Sequence, residues 1–141
     1  MVKIESKRGM FALMLAHCAG MVDLVALPVW VGTLIAHYHF DPQQAGGLAT
    51  LFLIGAAGAS IFFAPRFNKI HVKLAAVLGF AIAAAAFMLS ANSTNFPLLA
   101  AMHFIGGMAA GTALSVTHGT MGHAVNPHRV FGIAGLAIGI F

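Results

Sequence analysis

Asp23 lies at the midpoint of an apolar stretch over residues 10–36. A carboxylate at that depth of a membrane span is costly unless it faces a bundle interior or a water-filled cavity, where it binds a cation, relays a proton or pairs with a base. The inert alternative is an Asp that is protonated or hydrogen-bonded and serves only packing. Positions seven apart on a helix return to nearly one face, so Ala16, Asp23, Trp30 and His37 form a stripe, widened by Gly20 and Ala26. Such a face could line a cavity, with Asp23 as a cation or proton site. Trp30, about 10 Å further along, would be an aromatic wall for a cationic substrate. Taken by itself, Trp30 is expected in the outer aromatic belt. Pro28 within the same stretch frees a backbone carbonyl and invites a kink.

Eight histidines are many for so apolar a chain, yet their spacing does not make one site. His37, His39, His71, His123 and His128 fall at or near span ends, where water reaches them, whereas His17, His103 and His118 fall inside spans. On a helix His103 and His118 stand roughly 22 Å apart, too far for one metal ion. An intramembrane His could titrate near neutral pH and serve proton coupling, or stay neutral and bonded between helices. A haem held by His17, His103 and His118 from different helices is a further possibility. Nothing points to hydrolysis, phosphoryl transfer or nucleophilic catalysis. The three acidic residues, Glu5, Asp23 and Asp41, are too far apart in sequence to suggest a carboxylate pair, and there is no phosphate-binding loop. The expectation is a protein that is not an enzyme and uses no cofactor and no metal. Cys18 stands alone inside the first span and reads as a packing residue.

The elements that must position these groups are membrane helices. Hydrophobic residues make up 60% of the chain and charged residues 7%, with a mean hydropathy of +0.94. Soluble domains hold roughly 45–50% and about 25%. Long apolar runs select helices over a barrel. Polar punctuation places spans at about 10–36, 44–64, 74–91 and 96–122, and a shortened fifth segment over 130–141. Twelve residues rise only about 18 Å of a core about 30 Å thick, so the fifth reads as a helix cut in half, with a short re-entrant or interfacial piece as the alternative. The expected fold is an all-α integral membrane protein, a helix bundle with four full transmembrane helices and a partial fifth, forming one domain over 1–141. Gly107, Gly111, Ser115 and Gly119, four apart, make a small-residue stripe for helix packing.

All seven Lys and Arg fall on one side: Lys3, Lys7 and Arg8 before the first span, Arg66, Lys69 and Lys73 after the second, Arg129 after the fourth. By the positive-inside rule the N-terminus is cytoplasmic. The basic residues are too few and scattered to track nucleic acid. The partners expected are the lipid bilayer, a small-molecule substrate and protons.

Two stretches carry a family resemblance. Met102-His103-Phe104-Ile105-Gly106-Gly107-Met108-Ala109-Ala110-Gly111 is similar to the fourth-helix pattern of the major facilitator superfamily (MFS), with His103 where that family has Arg. Asn126-Pro127-His128-Arg129-Val130-Phe131-Gly132 resembles the Pro-x-Arg-x-x-Gly segment leading into its fifth helix. Pro65-Arg66-Phe67-Asn68-Lys69 sits where the family often has Gly-x-x-x-Asp-Arg-x-Gly-Arg. Arg66 and Lys69 keep the basic positions, while Ile61, Pro65 and Asn68 replace the first Gly, the Asp and the later Gly. The chain thus resembles the N-terminal third of an MFS transporter. The resemblance implies twelve helices in two halves, a midplane substrate site and alternating access, with the C-terminal part of the same transporter missing. It further implies secondary active transport of a small solute across a bacterial-type inner (plasma) membrane, with proton coupling as an option. Arg66 and Lys69 would hold the cytoplasmic face in one state, and His103 would need to titrate to replace a fixed cation. The competing expectations are a small four-helix exporter acting as a dimer and a non-transporting membrane subunit or haem-bearing electron carrier.

Overall fold

Capping chemistry at the polar punctuation sets the helix starts in this computed structural model, which describes residue 4 and residues 6–140. Lys3, Glu5 and Phe141, which entered the reading above, lie outside the described residues. Ser6 accepts from the Gly9 amide and opens α1, Lys7–Val25. Asp41 and Gln44 form a reciprocal capping box at the start of α3, Pro42–Phe63. His71 caps α4, Val72–Ala91, and Asn95 caps α5, Phe96–Gly122, with Pro97 in its first turn. α6 covers Pro127–Ile140.

The expected first span over 10–36 is two helices rather than one. α1 stops at Val25, Ala26 adopts φ −86° and ψ 3°, and α2 runs Leu27–Ala36. Pro28 supplies the reason, because without an N–H it cannot bond the Leu24 carbonyl, and its ring crowds that turn. The break moves Pro28 into the first turn of a new helix, and the Trp30 amide resumes the ladder on the Ala26 carbonyl at 2.9 Å. The second span departs from 44–64 in a smaller way. Pro65 ends the α-helix, and a 3-10 segment, Ala64–Lys69, carries the chain on.

Among the described residues four helices are long and apolar enough to cross a bilayer: α1, α3 with its 3-10 extension, α4 and α5. They form an all-α bundle with α5 as its axle. α3 and α4 lie along α5, α1 packs on α5 and α6, and α2 rests on α3. The α3–α5 and α4–α5 seams are drawn tight by missing side chains. A Cβ on Gly55 would stand 2.5 Å from the Phe104 carbonyl oxygen, and one on Gly79 2.7 Å from that of Ala109. Added methyls on Gly107 and Gly111 would collide with the Phe52 and Ala56 backbones. Backbone-to-backbone approach of this kind is how helices associate where the solvent itself is apolar.

The core is three clusters along the axle. At one end Leu34, Ala45, Leu48 and Leu99 gather Tyr38, Phe40 and Phe96; in the middle Phe52, Ala83, Ala109 and Ala110 meet Phe87; at the other end Met121, Val130 and Ala134 pack on Met10 and Leu13. Outward faces carry Phe11, Val29, Ile61, Met88 and Leu136, each more than 65% exposed. That apolar surface is far beyond what a water-soluble monomer shows. A hydrocarbon solvent accounts for it.

Candidate functional site

The break at Ala26 turns Trp30 toward the bundle axis. Its indole stacks on the His103 ring of α5, with centroids 5.0 Å apart and planes at 20°. Phe52 of α3 and Phe87 of α4 meet it edge-on at 5.5 and 5.9 Å. The expected place in an outer aromatic belt is therefore corrected: Trp30 is half-buried against the two upper core clusters.

His103 is 2% exposed, among the largest fully buried side chains of the protein. Its Nδ1 lies 2.8 Å from the Leu99 carbonyl oxygen. A carbonyl only accepts, so Nδ1 carries the proton, and in the neutral ring Nε2 offers a bare lone pair. That nitrogen is buried and has no partner among the described residues. Nearly all buried polar atoms are satisfied, so an orphaned acceptor packed beside a Trp face is a place for a proton. A proton there would create a cation over the indole, the arrangement favoured by cation–π attraction.

The second polar centre joins helices remote in sequence. His17 Nδ1 of α1 and His118 Nε2 of α5 lie 3.0 Å apart, across 101 residues of chain. One nitrogen must donate and the other accept, so the neutral pair holds one shared proton, and a second would make both facing atoms donors and part them. Phe131 of α6 flanks His118 at 5.6 Å between centroids. Beside it a cavity of about 290 Å³ is lined by Ser60, Ala64, Phe67, Leu114, Ser115, His118 and Gly119. Two members of the packing stripe thus lie in a partly polar pocket: Ser115 lines it, and Gly119 faces the Phe67 ring. The pairing is not legible in the spacing of His residues within one span, because the bond runs between spans. The available signal was that both fall in the half of the bundle that carries the basic loops.

Asp23 sits three residues before the break, half-exposed, and its carboxylate bonds to no described residue. The structure brings it to neither histidine centre. Arg66 Nη1 donates to the Phe62 carbonyl at 2.7 Å and its guanidinium lies 3.9 Å over the Phe62 ring, so it is anchored on its own segment. Lys69 ends the 3-10 segment, exposed.

Among the described residues no three His, Cys, Asp or Glu side chains gather where they could hold a metal ion. A haem iron between two imidazoles needs on the order of 4 Å from nitrogen to nitrogen, twice a metal–nitrogen bond of about 2 Å. His17 and His118 are too close for it, and Trp30, Phe52 and Phe87 fill the space around His103. These residues do not fit the haem carrier.

No known protein family, curated protein or solved structure matches this chain. Its physical character stands without one. It is a multi-spanning helical membrane protein with three separate polar centres inside its spans.

Proposed function

We propose that this chain is the N-terminal part of a secondary transporter of the MFS type, moving a small solute by alternating access with proton coupling. The observation that carries the reading is the His17–His118 bond, a proton-sharing contact inside the membrane between two helices of the bundle. Alternating access requires helices to shift against one another, and a bond that protonation breaks ties such a shift to proton arrival. The sequence resemblance on residues 102–111 and 126–132 supports the family. Asp23 adds an unpartnered carboxylate on the flank of α1 for a proton or cationic group, and His103 with Trp30 adds an acceptor beside an aromatic face. In this reading Arg66 and Lys69 stiffen the cytoplasmic end, and the membrane is a bacterial-type inner membrane.

The test is transport by proteoliposomes carrying the full transporter of which this chain would be the N-terminal part, with a trapped pH dye, challenged with panels of small cations, sugars and acids under a pH gradient. Solute-dependent proton movement is expected, with Asp23→Asn and His118→Ala each abolishing it while the protein still inserts. Proton movement no greater than in empty liposomes for every class would overturn proton-coupled transport. Movement that persists undiminished in both variants would remove these residues from the mechanism.

A further inference from the structure

One groove takes no part in the reading above. Between α1 and α6, at the end of the bundle where the basic residues gather, a cleft of about 340 Å³ is lined by Lys7, Met10, Phe11, Met14, Arg129, Val130 and Ile133. Its floor is closed, because Val130 is 2% exposed and packs with Met121 and Ala134 against Met10 and Leu13. Its walls are apolar. Its mouth holds two exposed cations from helices more than a hundred residues apart in sequence.

Both helices begin at this mouth. Lys7 is the first residue of α1, and Arg129 lies in the first turn of α6. The N-terminal ends of two helix dipoles therefore add to the two side-chain charges. Ser6 and Asn126 already cap the Gly9 and Arg129 amides, so the attraction left over is electrostatic and not a set of free amides. The other charges among the described residues sharpen the contrast. Asp41 caps α3 at the opposite end and Asp23 lies mid-span, whereas Arg8, Arg66, Lys69 and Lys73 share the groove's end. Among the described residues no carboxylate at that end competes for Lys7 or Arg129.

We infer that the groove formed by Lys7 and Arg129 above Met10, Phe11, Met14 and Ile133 is a binding site for one anionic glycerophospholipid. The phosphate sits between the two cations and an acyl chain runs along the Phe11 and Met14 wall. A zwitterionic lipid fits the wall but carries its own ammonium to the cations, and a free anion fits the mouth but leaves the wall bare. Charge complementarity and the pairing of cations with an apolar wall together select the anionic lipid. The inference does not rest on transport.

The experiment is native mass spectrometry of the protein released from vesicles of equimolar phosphatidylglycerol and phosphatidylcholine with matched chains. One retained phosphatidylglycerol per protein is expected, with at least about tenfold preference over phosphatidylcholine. The pair Lys7→Gln with Arg129→Gln should remove that preference, the charge-keeping pair Lys7→Arg with Arg129→Lys should restore it, and Arg66→Gln with Lys73→Gln, equal in charge removed, should leave it. Circular dichroism showing equal helix content keeps the comparison valid. Equal loss in the Arg66 and Lys73 pair would overturn the site in favour of diffuse surface charge. Displacement of the lipid by millimolar glycerol phosphate would overturn it in favour of a headgroup-only anion site. A wild-type protein without preference would overturn it outright.

Discussion

The histidine centres are where single atoms decide behaviour. Removing one partner of the His17–His118 bond leaves a polar nitrogen of a buried ring unpaired, which costs about 1–3 kcal/mol, whereas replacing both by apolar rings is nearly neutral. We therefore expect His118→Phe to lower the thermal unfolding temperature in detergent and the His17→Phe, His118→Phe double variant to recover much of the loss. Additive losses would show that the bond is not made. His103 is predicted to behave oppositely. Its Nε2 contributes no bond, and the bond lost at Nδ1 is to the Leu99 carbonyl of its own helix, so relief of the orphaned nitrogen offsets that loss and His103→Phe should change stability by no more than about 1 kcal/mol, read by the same unfolding scan. A loss well beyond the roughly 1 kcal/mol of the Leu99 bond would mean that Nε2 has a partner in the folded protein. These centres were only partly legible in the chain. Asp23 and the three intraspan histidines stand out because polar groups are rare in such segments, but which of them meet depends on helix rotation and tilt, and no local spacing encodes either. Trp30 shows the limit best: its type fits a belt or an interior equally, and a proline two residues earlier decides.

At the scale of elements, boundaries were the readable part. Spans 74–91 and 96–122 carry their own caps, the second with a proline in its first turn, and the structure keeps them within two residues, with α5 matching throughout. The continuity of the first span is not legible in hydropathy, which runs unbroken through Ala26 while the hydrogen-bond ladder does not. Pro28→Ala should restore a donor to the Leu24 carbonyl, fuse α1 with α2 and swing Trp30 off His103. Hydrogen exchange at residue 28 should become protected and Trp30 fluorescence should change in position and yield. An unprotected amide would place the cause of the break elsewhere. The seam glycines make a graded prediction. Gly107→Ala places a methyl into the Phe52 carbonyl and should cost about 1–3 kcal/mol as α3 and α5 part. Gly58→Ala meets nothing within 4 Å and should gain up to about 1 kcal/mol from helix propensity. Equal effects at the two positions would contradict the tight seam.

For the whole molecule, composition alone dictated the solvent, and antiparallel passage of the spans gathers Lys7, Arg8, Arg66, Lys69, Lys73 and Arg129 at one end. Orientation can be measured directly. With Cys18 replaced by Ser, a cysteine at Lys69 should react with a membrane-impermeant maleimide only after cells are opened, and one at Asn92 should react in intact cells. The reverse pattern would place the basic end outside.

The axle arrangement has a consequence in time. α3 and α4 lean on α5 far more than on one another, yet α5 is made after both. A ribosome that has delivered residues up to Ala91 has therefore placed helices in the bilayer whose glycine faces have nothing to close upon. The nascent protein must wait, unassembled, until the segment beginning at Phe96 leaves the exit tunnel. Degradation during synthesis should accordingly be greatest for chains halted between those two points. The same substitution on the glycine seam that weakens the finished protein should lengthen that exposed interval.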